Sequence, residues 1–225
     1  MKNKVSCIIP AYNEERTIGN VLKVMEHHPL VYETIVIDDG SSDNTKNIVK
    51  KYKNVKLLIN KKNRGKTLSL LRGISYAKKD IVMLIDSDLV GLSKKDITNL
   101  IFPVIKNYAD VSINIRANSY KIFKWMGIDF VSGERVFSKK ILGDINQFRK
   151  LSNFGFESYL NKEIIRKQFK IKIVRFPNVS HIRKTEKRGF ISGTINDYSM
   201  ALEIIKTLGL FGVITQIIKM RSLMV

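Results

Sequence analysis

Three clusters of acidic and polar residues follow short apolar runs in the first half of the sequence. They are residues 10–14 (PAYNE), 38–43 (DDGSSD) and 86–88 (DSD). Any one of them is typical of an ordinary turn. Carboxylates gathered at one place repel one another, however, and a divalent metal is a suitable counter-ion for them. Because Mg²⁺ and Mn²⁺ prefer oxygen ligands and leave positions open for phosphates, the three clusters together indicate a metal site for a phosphorylated ligand.

The elements between these clusters explain how they would converge. Apolar runs predict buried strands, and apolar residues at helical spacing predict a helix after each of the first three strands. This alternation is typical of an α/β fold, a parallel sheet with helices on both faces. The clusters follow the carboxyl ends of the strands, so they meet at one rim, where ligands of such sheets bind. The predicted strands are residues 5–9, 34–37, 55–59 and 81–85, and the predicted helices are residues 14–28, 43–52 and 66–78.

The second half of the sequence is less regular. We predict helices over 96–108 and 155–167, strands over 110–115 and 170–176, an aromatic loop over 118–133 and a basic loop over 181–189. No repeat, low-complexity tract or linker divides the sequence before about residue 195. We therefore predict one domain over residues 1–195 and a C-terminal helical segment, amphipathic or apolar, over residues 196–225.

The composition limits the class of protein. The chain has 225 residues, of which 44% are hydrophobic and 27% charged, as expected for a globular protein rather than a disordered or fibrous one. Its 40 Lys and Arg residues against 20 Asp and Glu residues leave a net charge of +20, which implies an anionic partner. Cys7 is the only cysteine, so no disulfide forms within the chain, and a reducing compartment suits it.

The charge alone would also suit a nucleic-acid-binding protein. The sequence lacks a reading helix, a zinc motif and an aromatic RNA-binding signature, so we expect no nucleic-acid partner. Nucleotidyltransferases share a similar sheet and acidic pair, but they usually carry a glycine-rich loop after the first strand. Here that loop is PAYNE. An enzyme that acts on a phosphorylated small molecule is the leading interpretation.

Four segments resemble the family 2 glycosyltransferases of GT-A fold. They are VSCIIPAYNEERTI, IVIDDGSSDNT, NKKNRGKTLSLLRGI and IVMLIDSDL, and the resemblance is strong from residue 4 to about 90. It continues more weakly through residues 132–135 (SGER), 155–157 (GFE) and His181. These later motifs are closer to polyprenyl-phosphate glycosyltransferases and glucosyl-phosphoglycerate synthases than to processive polysaccharide synthases, whose Gln-x-x-Arg-Trp signature is absent. The resemblance implies a Rossmann-like, mostly parallel sheet with helices on both faces.

The resemblance implies that the ligand is a nucleotide-sugar donor, usually a UDP-sugar, with a GDP-sugar as the alternative. Asp39 is expected at the base, and Gly65 and Lys66 beside the nucleotide. From the residues themselves, the run at 63–66 (NRGK) brings two cations to a helix N-terminus, which suits a phosphate, although a solvated basic turn would have the same composition. The residues assigned to donor binding are Pro10, Ala11, Tyr12, Glu14, Asp39, Gly65, Lys66, Asp86, Arg135, Arg183 and Lys184.

The resemblance also implies a bound Mg²⁺ or Mn²⁺ that neutralises the departing nucleotide. Asp88 is the expected direct ligand and a catalytic residue, Asp86 a contact to the metal's surroundings or the ribose, and His181 a further ligand. Glu157 is the expected catalytic base. The Glu-Asp pair usual in the family is absent, because Ser158 follows Glu157, and the base and the stereochemical outcome therefore stay open. The alternative bases are Asp129, Glu134 and Asp144.

The acceptor is expected to be anionic, and two kinds fit the basic charge. One is lipid-linked, such as a polyprenyl phosphate or a cell-envelope glycolipid, and the other is a soluble phosphorylated acid such as phosphoglycerate. The apolar C-terminal segment favours the lipid-linked kind, because it is suited to lie on an anionic membrane surface. Packing on the protein's own core or in a homo-oligomer is the alternative for this segment.

The C-terminal segment is not expected to cross a bilayer. Twelve uncharged residues separate Lys206 from Lys219, whereas a spanning helix takes about 20. Nucleotide sugars are available on the cytoplasmic side of the membrane. We therefore expect a cytoplasmic enzyme, peripheral on the inner face of the cell membrane.

Overall fold

The computed structural model describes residues 4–119, 121–143, 155–181 and 210–225. Strands and helices alternate through the first half, as predicted. The strands are β1 (Val5–Ala11), β2 (Val31–Asp38), β3 (Val55–Ile59), β4 (Ile81–Leu84), β5 (Leu89–Val90), β6 (Val111–Arg116), β7 (Arg135–Ser138), β8 (Ile171–Phe176) and β9 (Ser180–His181). The α-helices are α1 (Ile18–Met25), α2 (Thr45–Lys50), α3 (Lys66–Tyr76), α4 (Lys94–Ile105), α5 (Lys121–Met126), α6 (Gly155–Arg166) and α7 (Leu210–Arg221), and a 3₁₀ helix covers Lys139–Leu142.

Seven strands form one sheet in the order β3-β2-β1-β4-β7-β6-β8. Neighbouring strands are parallel except at β7, which runs antiparallel to both β4 and β6. The predicted α/β fold with a mostly parallel sheet is confirmed. Because β1, β2, β4 and β6 run in the same direction, their carboxyl ends lie along one rim, where β7 begins.

Helices cover both faces of the sheet, so its central strands are mostly apolar. In β1, Cys7 and Ile9 pack towards α1 and α4, whereas Ile8 packs towards α3 and α6. Cys7 is fully buried. The alternation of β1 between two separate cores fixes which of its side chains face each layer of helices.

Strand β1 extends through Pro10 to Ala11, two residues further than predicted. Proline has no N–H to donate and is usually excluded from central strands. Strand β4 pairs with β1 only as far as Ile8, whereas β2 pairs with it through Ala11. Pro10 therefore lies where β1 has a paired neighbour on one side only.

The sequence analysis missed β7 and α5. Strand β7 has four residues, of which only Val136 and Phe137 are buried and apolar, too few to give a strand pattern. Helix α5 lies inside the stretch predicted as an aromatic loop, residues 118–133. The first two helices are also shorter than predicted, because residues 12–17 and 39–44 form loops at the rim.

The two-residue strands β5 and β9 pair just beyond the end of β4. Leu89 pairs with His181 and Val90 with Ser180, antiparallel. Gly91 follows with a φ of 80°, and a β-carbon there would lie 2.2 Å from the carbonyl oxygen of Asn178. The ladder therefore requires glycine at this position, and it holds His181 next to the turn that contains Asp88.

Helix α7 packs on the protein's own core. Ile217 and Met220 are buried in the same cluster as residues of α6. After the helix the chain runs beside β8, where the Ile171 N–H donates to the Leu223 carbonyl (2.8 Å) and the Val225 N–H donates to the Ile171 carbonyl (3.0 Å). Through Ile217, Met220 and these backbone bonds, the described part of the C-terminal segment packs on the protein's own core. Residues 196–209 of that segment lie outside the described residues.

In the parts of the chain that the structure describes, no helix has both the length and the apolar character needed to cross a membrane.

Candidate active site

The loops that follow β1 and β2 hold one another through side-chain oxygens. The Asn13 N–H donates to Ser41 Oγ (3.0 Å), and Asn13 Oδ1 accepts from the Ser42 N–H (2.9 Å). The Glu14 N–H donates to Thr45 Oγ1 (2.8 Å). These bonds satisfy backbone donors that a longer helix would otherwise have used. They leave Tyr12, which follows Pro10 and Ala11, 42% exposed at the rim.

Asp39 is buried and ties the end of β2 to the start of α3. Its Oδ1 accepts from Asn60 Nδ2 (2.6 Å) and the Arg64 N–H (3.0 Å), and its Oδ2 accepts from the Gly65 N–H (2.8 Å). Gly65 precedes α3 with a φ of 88°, a conformation that favours glycine. Asp39 therefore fixes the loop that delivers Lys66 to the rim.

Lys66, Asp86 and Glu157 meet at the rim. Lys66 Nζ lies 2.7 Å from Asp86 Oδ1 and 3.1 Å from Glu157 Oε1. Burial alone would lower the pKa of Lys66, but the charges of Asp86 and Glu157 outweigh it and raise that pKa above its ordinary value. The ammonium is therefore charged at any physiological pH.

Arg116, at the end of β6, joins a second pair of acids. Its NH1 lies 2.8 Å from Glu134 Oε1 and 3.7 Å from Asp86 Oδ2. Burial would raise the pKa of Asp86, but Lys66 and Arg116 outweigh it and hold that pKa below its usual value. Glu134 is completely buried, and burial raises its pKa to about 7 although Arg116 opposes the shift. Two cations and three acids thus form one connected network.

Gly133 forms the wall behind the Asp86–Lys66 pair. A β-carbon at this position would lie 2.6 Å from both Asp86 carboxylate oxygens and 2.7 Å from Lys66 Nζ. Contacts this short do not occur for real side chains, so any larger residue must displace the pair. The loop before β7 therefore sets where these two charges sit.

Asp88 directly precedes the β5–β9 ladder, and His181 is part of it. Leu89, which follows Asp88, pairs directly with His181. The charge of His181 also contributes to lowering the pKa of Asp86, and that of Asp88 to raising the pKa of Arg116. The structure therefore brings both residues to the same rim as Asp86, as the sequence analysis expected.

Asp88 and His181 are the residues best suited to a divalent metal. A carboxylate suits Mg²⁺ or Mn²⁺, and imidazole is a common metal ligand. Asp86, by contrast, already faces Lys66 and Arg116. Across residues 4–119, 121–143, 155–181 and 210–225, no three His, Cys, Asp or Glu side chains are grouped closely enough to enclose a cation. A metal here must complete its shell with water and ligand phosphates, the usual arrangement for Mg²⁺.

Arg135 corrects one expectation of the sequence analysis. Its guanidinium is fully buried and donates to the carbonyls of Ser132 (Nε, 2.7 Å) and Phe130 (NH2, 2.6 Å) and to Asn161 Oδ1 (NH1, 2.5 Å). Every one of these bonds is to the protein itself. Arg135, at the start of β7, therefore has a structural role in holding the preceding loop and is not placed to touch a nucleotide sugar.

The sequence analysis missed Arg116 and the central position of Glu134. Arg116 ends an apolar strand and belongs to no motif, so only its spacing after Asn114 on the same face of β6 would have drawn attention to it. Asp129, the other alternative base, is buried and accepts a hydrogen bond from Ser119 Oγ (2.7 Å) rather than facing Lys66. Arg183, Lys184 and Asp144 lie outside the described residues.

The glycosyl transferase family 2 profile matches residues 6–170, well over half of the chain. The chain belongs to this family. The resemblance found in the sequence is thereby confirmed for the family as a whole.

Relatives within family 2 include enzymes with different acceptors. A dolichol-phosphate mannosyltransferase of Pyrococcus furiosus is 30% identical over 129 residues, 54% of this chain and 36% of that protein. A glucosyl-3-phosphoglycerate synthase of Petrotoga mobilis is 31% identical over 120 residues, 48% of this chain and 36% of that protein. The chain thus spans little more than a third of either enzyme, and no more than half of several other curated relatives.

The fold is that of a solved family of enzymes. A crystal structure of glucosyl-3-phosphoglycerate synthase from Mycobacterium tuberculosis, in complex with Mn²⁺, UDP-glucose and phosphoglyceric acid, superposes with a TM-score of 0.70 at 20% identity. The match covers 96% of this chain and 80% of that one. At this identity the likeness establishes the fold, and the expected GT-A architecture is confirmed.

Proposed function

We propose that this chain transfers a sugar from a nucleotide-sugar donor, a UDP-sugar before a GDP-sugar, to a phosphate-bearing acceptor with the help of Mg²⁺ or Mn²⁺. The observation that carries the proposal is the meeting of Lys66, Asp86 and Glu157 at one rim of a family 2 chain. Lys66 supplies a fixed positive charge for a diphosphate. Glu157 supplies a proton acceptor a few ångströms away. Transfer to a hydroxyl acceptor uses both kinds of group, a cation for the departing diphosphate and a base for the hydroxyl proton.

The donor lies along the loops after β1 and β2. The exposed ring of Tyr12 offers a face on which a base stacks. Asp39 uses three of the roughly four lone-pair positions of a carboxylate on the protein, which leaves one to accept an N–H of uracil. Since the other three bonds hold Gly65 and the start of α3, base binding and the placement of Lys66 depend on the same side chain.

Asp88 and His181 would hold the Mg²⁺ or Mn²⁺, which would supply charge that neutralises the departing diphosphate. Lys66 would add a second positive charge for the same diphosphate. Arg116 keeps Asp86 and Glu134 neutralised when Lys66 turns from Asp86 towards the phosphates. The chain's own cations therefore prevent three neighbouring acids from repelling an anionic donor.

Glu157 provides the base where the acceptor presents a hydroxyl. Its Oε1 faces Lys66, and its Oε2 is buried without a hydrogen-bond partner among the described residues. A hydroxyl that enters beside Oε2 satisfies this atom and gives up its proton to it. An acceptor that attacks through a phosphate oxygen is already ionised near pH 7 and needs no base.

Two acceptors remain in the proposal, and each has one observation in its favour. A lipid-linked phosphate at a membrane surface is favoured by Trp125 on α5, which is 79% exposed just beyond the end of β6, since tryptophan favours membrane interfaces. A soluble phosphorylated acid is favoured by the extent of the superposition on the phosphoglycerate enzyme. With a lipid-linked acceptor, the protein works at the inner face of the cell membrane.

Calorimetry of UDP binding tests the donor and metal parts of the proposal. We expect binding with Mn²⁺ that is lost with EDTA and lost in Asp39→Ala, whereas Asp80→Ala, which removes an exposed acid at the opposite end of β4, behaves as wild type. Equal affinity with Mn²⁺ and with EDTA would exclude a metal role. A screen of radiolabelled UDP- and GDP-sugars against polyprenyl phosphate and phosphoglycerate then identifies the acceptor.

A further inference from the structure

A chain of buried polar side chains leads from α7 to the rim loop. Its members are Gln216 on α7, Asn161 on α6 and Arg135 on β7, and none is more than 5% exposed. Gln216 Oε1 accepts from Asn161 Nδ2 (3.2 Å), and Asn161 Oδ1 accepts from Arg135 NH1 (2.5 Å). We call these three residues the polar relay.

The relay ends on the backbone of the rim loop, residues 129–134. The Phe130 carbonyl accepts both from Arg135 NH2 (2.6 Å) and from Asn161 Nδ2 (2.8 Å), and the Ser132 carbonyl accepts from Arg135 Nε (2.7 Å). Two carbonyls two residues apart are thus held by one guanidinium. The next residue is Gly133, whose backbone is the wall against the Asp86–Lys66 pair.

The relay also reaches the other side of the site through α6. Gln216 Nε2 donates to the carbonyl of Ser158 (3.4 Å), the residue after Glu157. Glu157 and Asn161 are four residues apart, so they lie on one face of α6, a single turn from each other. One side chain on α7 therefore holds the helix that carries Glu157 and, through Asn161, the loop whose Gly133 lies against the Asp86–Lys66 pair.

We propose that Gln216 is a positioning residue, which acts through Asn161 and Arg135 to set the spacing between Glu157 and the Asp86–Lys66 pair. Apolar contacts of α7, such as those of Met220, allow the packed groups to shift by a few tenths of an ångström. The hydrogen bonds to the carbonyls of Phe130 and Ser132 depend on direction as well as distance, so they fix the position of the loop more narrowly. The C-terminal helix thereby contributes to the geometry of the active site through Gln216. The kinetic part of this inference rests on the proposed function, and the structural part does not.

Hydrogen exchange separates positioning from ordinary packing. Gln216→Met keeps the volume of the side chain and removes both hydrogen bonds. We expect amide exchange across residues 128–134 to rise about 10-fold, the effect of losing one buried hydrogen bond. The control is Met220→Ala, which creates a cavity on the same helix and breaks no polar contact. It should raise exchange in α6 and α7 only.

Enzyme assays under the same conditions give the second readout. Gln216→Met should lower kcat several-fold and leave the KM for the donor and the affinity for UDP unchanged, because the donor loops lie outside the relay. Met220→Ala should keep the kcat of wild type when each protein is assayed the same number of degrees below its own Tm. Should Gln216→Met fail to fold, Gln216→Asn, which is too short to reach both partners, takes its place.

Equal rises in exchange at residues 128–134 in both variants, or no rise in either, would overturn the inference and leave α7 a packing element only. If the loop responds to Gln216 alone but wild-type protein transfers no sugar from any donor, the proposed function fails while the positioning role stands.

Discussion

The two sides of the rim are built from different interactions. On the donor side, the loops after β1 and β2 and the start of α3 are held by backbone N–H groups that donate to side-chain oxygens such as Ser41 Oγ and Asp39 Oδ2. On the catalytic side, formed by the end of β6, residues 129–135 and α6, buried charges hold one another. Both arrangements join residues that are distant in the sequence, but the donor side does so through hydrogen bonds of backbone amides and the catalytic side through ion pairs between side chains.

This difference has a consequence for mutation. Loss of a half-exposed loop hydrogen bond is compensated by water and costs about 1 kcal/mol or less. Loss of one member of the buried network leaves another charge unpaired and costs about 3–5 kcal/mol. The catalytic side should therefore respond to substitution more strongly and less selectively than the donor side.

The largest effect is expected where the two sides meet. Asp88→Ala removes the proposed principal metal ligand, and we expect turnover to fall about 10³-fold, equivalent to roughly 4 kcal/mol of transition-state stabilisation. Thermal stability should be unchanged or higher, because one of several neighbouring acids is gone. Steady-state transfer assays and thermal melts measure both quantities. Asp80→Ala is the control, and an active Asp88→Ala enzyme would contradict the assignment of the metal site.

The next effect belongs to the catalytic side alone. Glu157→Gln should lower turnover about 10²-fold with a hydroxyl acceptor, the low end for loss of a general base, and leave donor affinity unchanged. Single-turnover transfer assays and UDP titration provide the two measurements.

Glu163→Gln on the same helix removes a partly buried partner of Arg166, away from the rim network, and should have no effect on turnover. Near-normal turnover of Glu157→Gln with a phosphoglycerate-type acceptor would show that the base lies elsewhere. Near-normal turnover with a phosphate-oxygen acceptor is expected, since no base is needed there.

Adding a methyl group on each side of the rim tests the difference between the donor side and the catalytic side further. Gly133→Ala places a methyl group against Asp86 and Lys66 and should lower turnover about 10- to 100-fold, as misplacement of reacting groups by about 1 Å does. Assays at saturating donor test this. In Gly19→Ala, on the donor side, the new methyl group meets Tyr52 and Ile48 at 3.6 and 3.7 Å, ordinary contact distances. If both alanine variants keep full activity, the rim loop does not constrain the Asp86–Lys66 pair.

The smallest effect is a pH dependence of stability. Because burial raises the pKa of Glu134 to about 7 from an unfolded value of 4.5, the folded protein retains a proton between these pH values that the unfolded chain releases. The contribution of this group to stability is therefore present below pH 4.5 and is lost as the pH rises to about 7. Differential scanning calorimetry should show the Tm of wild type falling by several degrees relative to Glu134→Gln across this window.

Glu163 should show the opposite pH dependence of stability, because its pKa is shifted in the other direction. The hydrogen bond from Arg166 lowers the pKa of Glu163, so its contribution is lost as the pH falls below its ordinary value of 4.5. Glu163→Gln should leave the difference between pH 4.5 and pH 7 unchanged. A parallel pH dependence of Tm in wild type and Glu134→Gln would show that Glu134 is ionised throughout.

The donor side could be predicted from the sequence and the catalytic side only in part. Asp39, Gly65 and Lys66 lie within short motifs whose strand-loop-helix context repeats along the chain, and all three are at the rim. Arg116 and Glu134 come together because β7 returns antiparallel between β4 and β6, a pairing that four residues with two apolar side chains do not encode locally. Arg135 lies in a motif and nevertheless points into the core, because a motif identifies a residue but not the side of the strand it faces.

The burial of Cys7 on β1 provides a chemical reporter for the protein's integrity. Desolvation raises the pKa of its thiol well above the ordinary value of 9.0, so almost no thiolate is present to react in the folded protein. Strand β1 lies between β2 and β4 with helices on both faces, and a reagent reaches the sulfur only when the central sheet opens. With one cysteine in the chain, the rate of alkylation under native conditions measures the frequency of that opening directly.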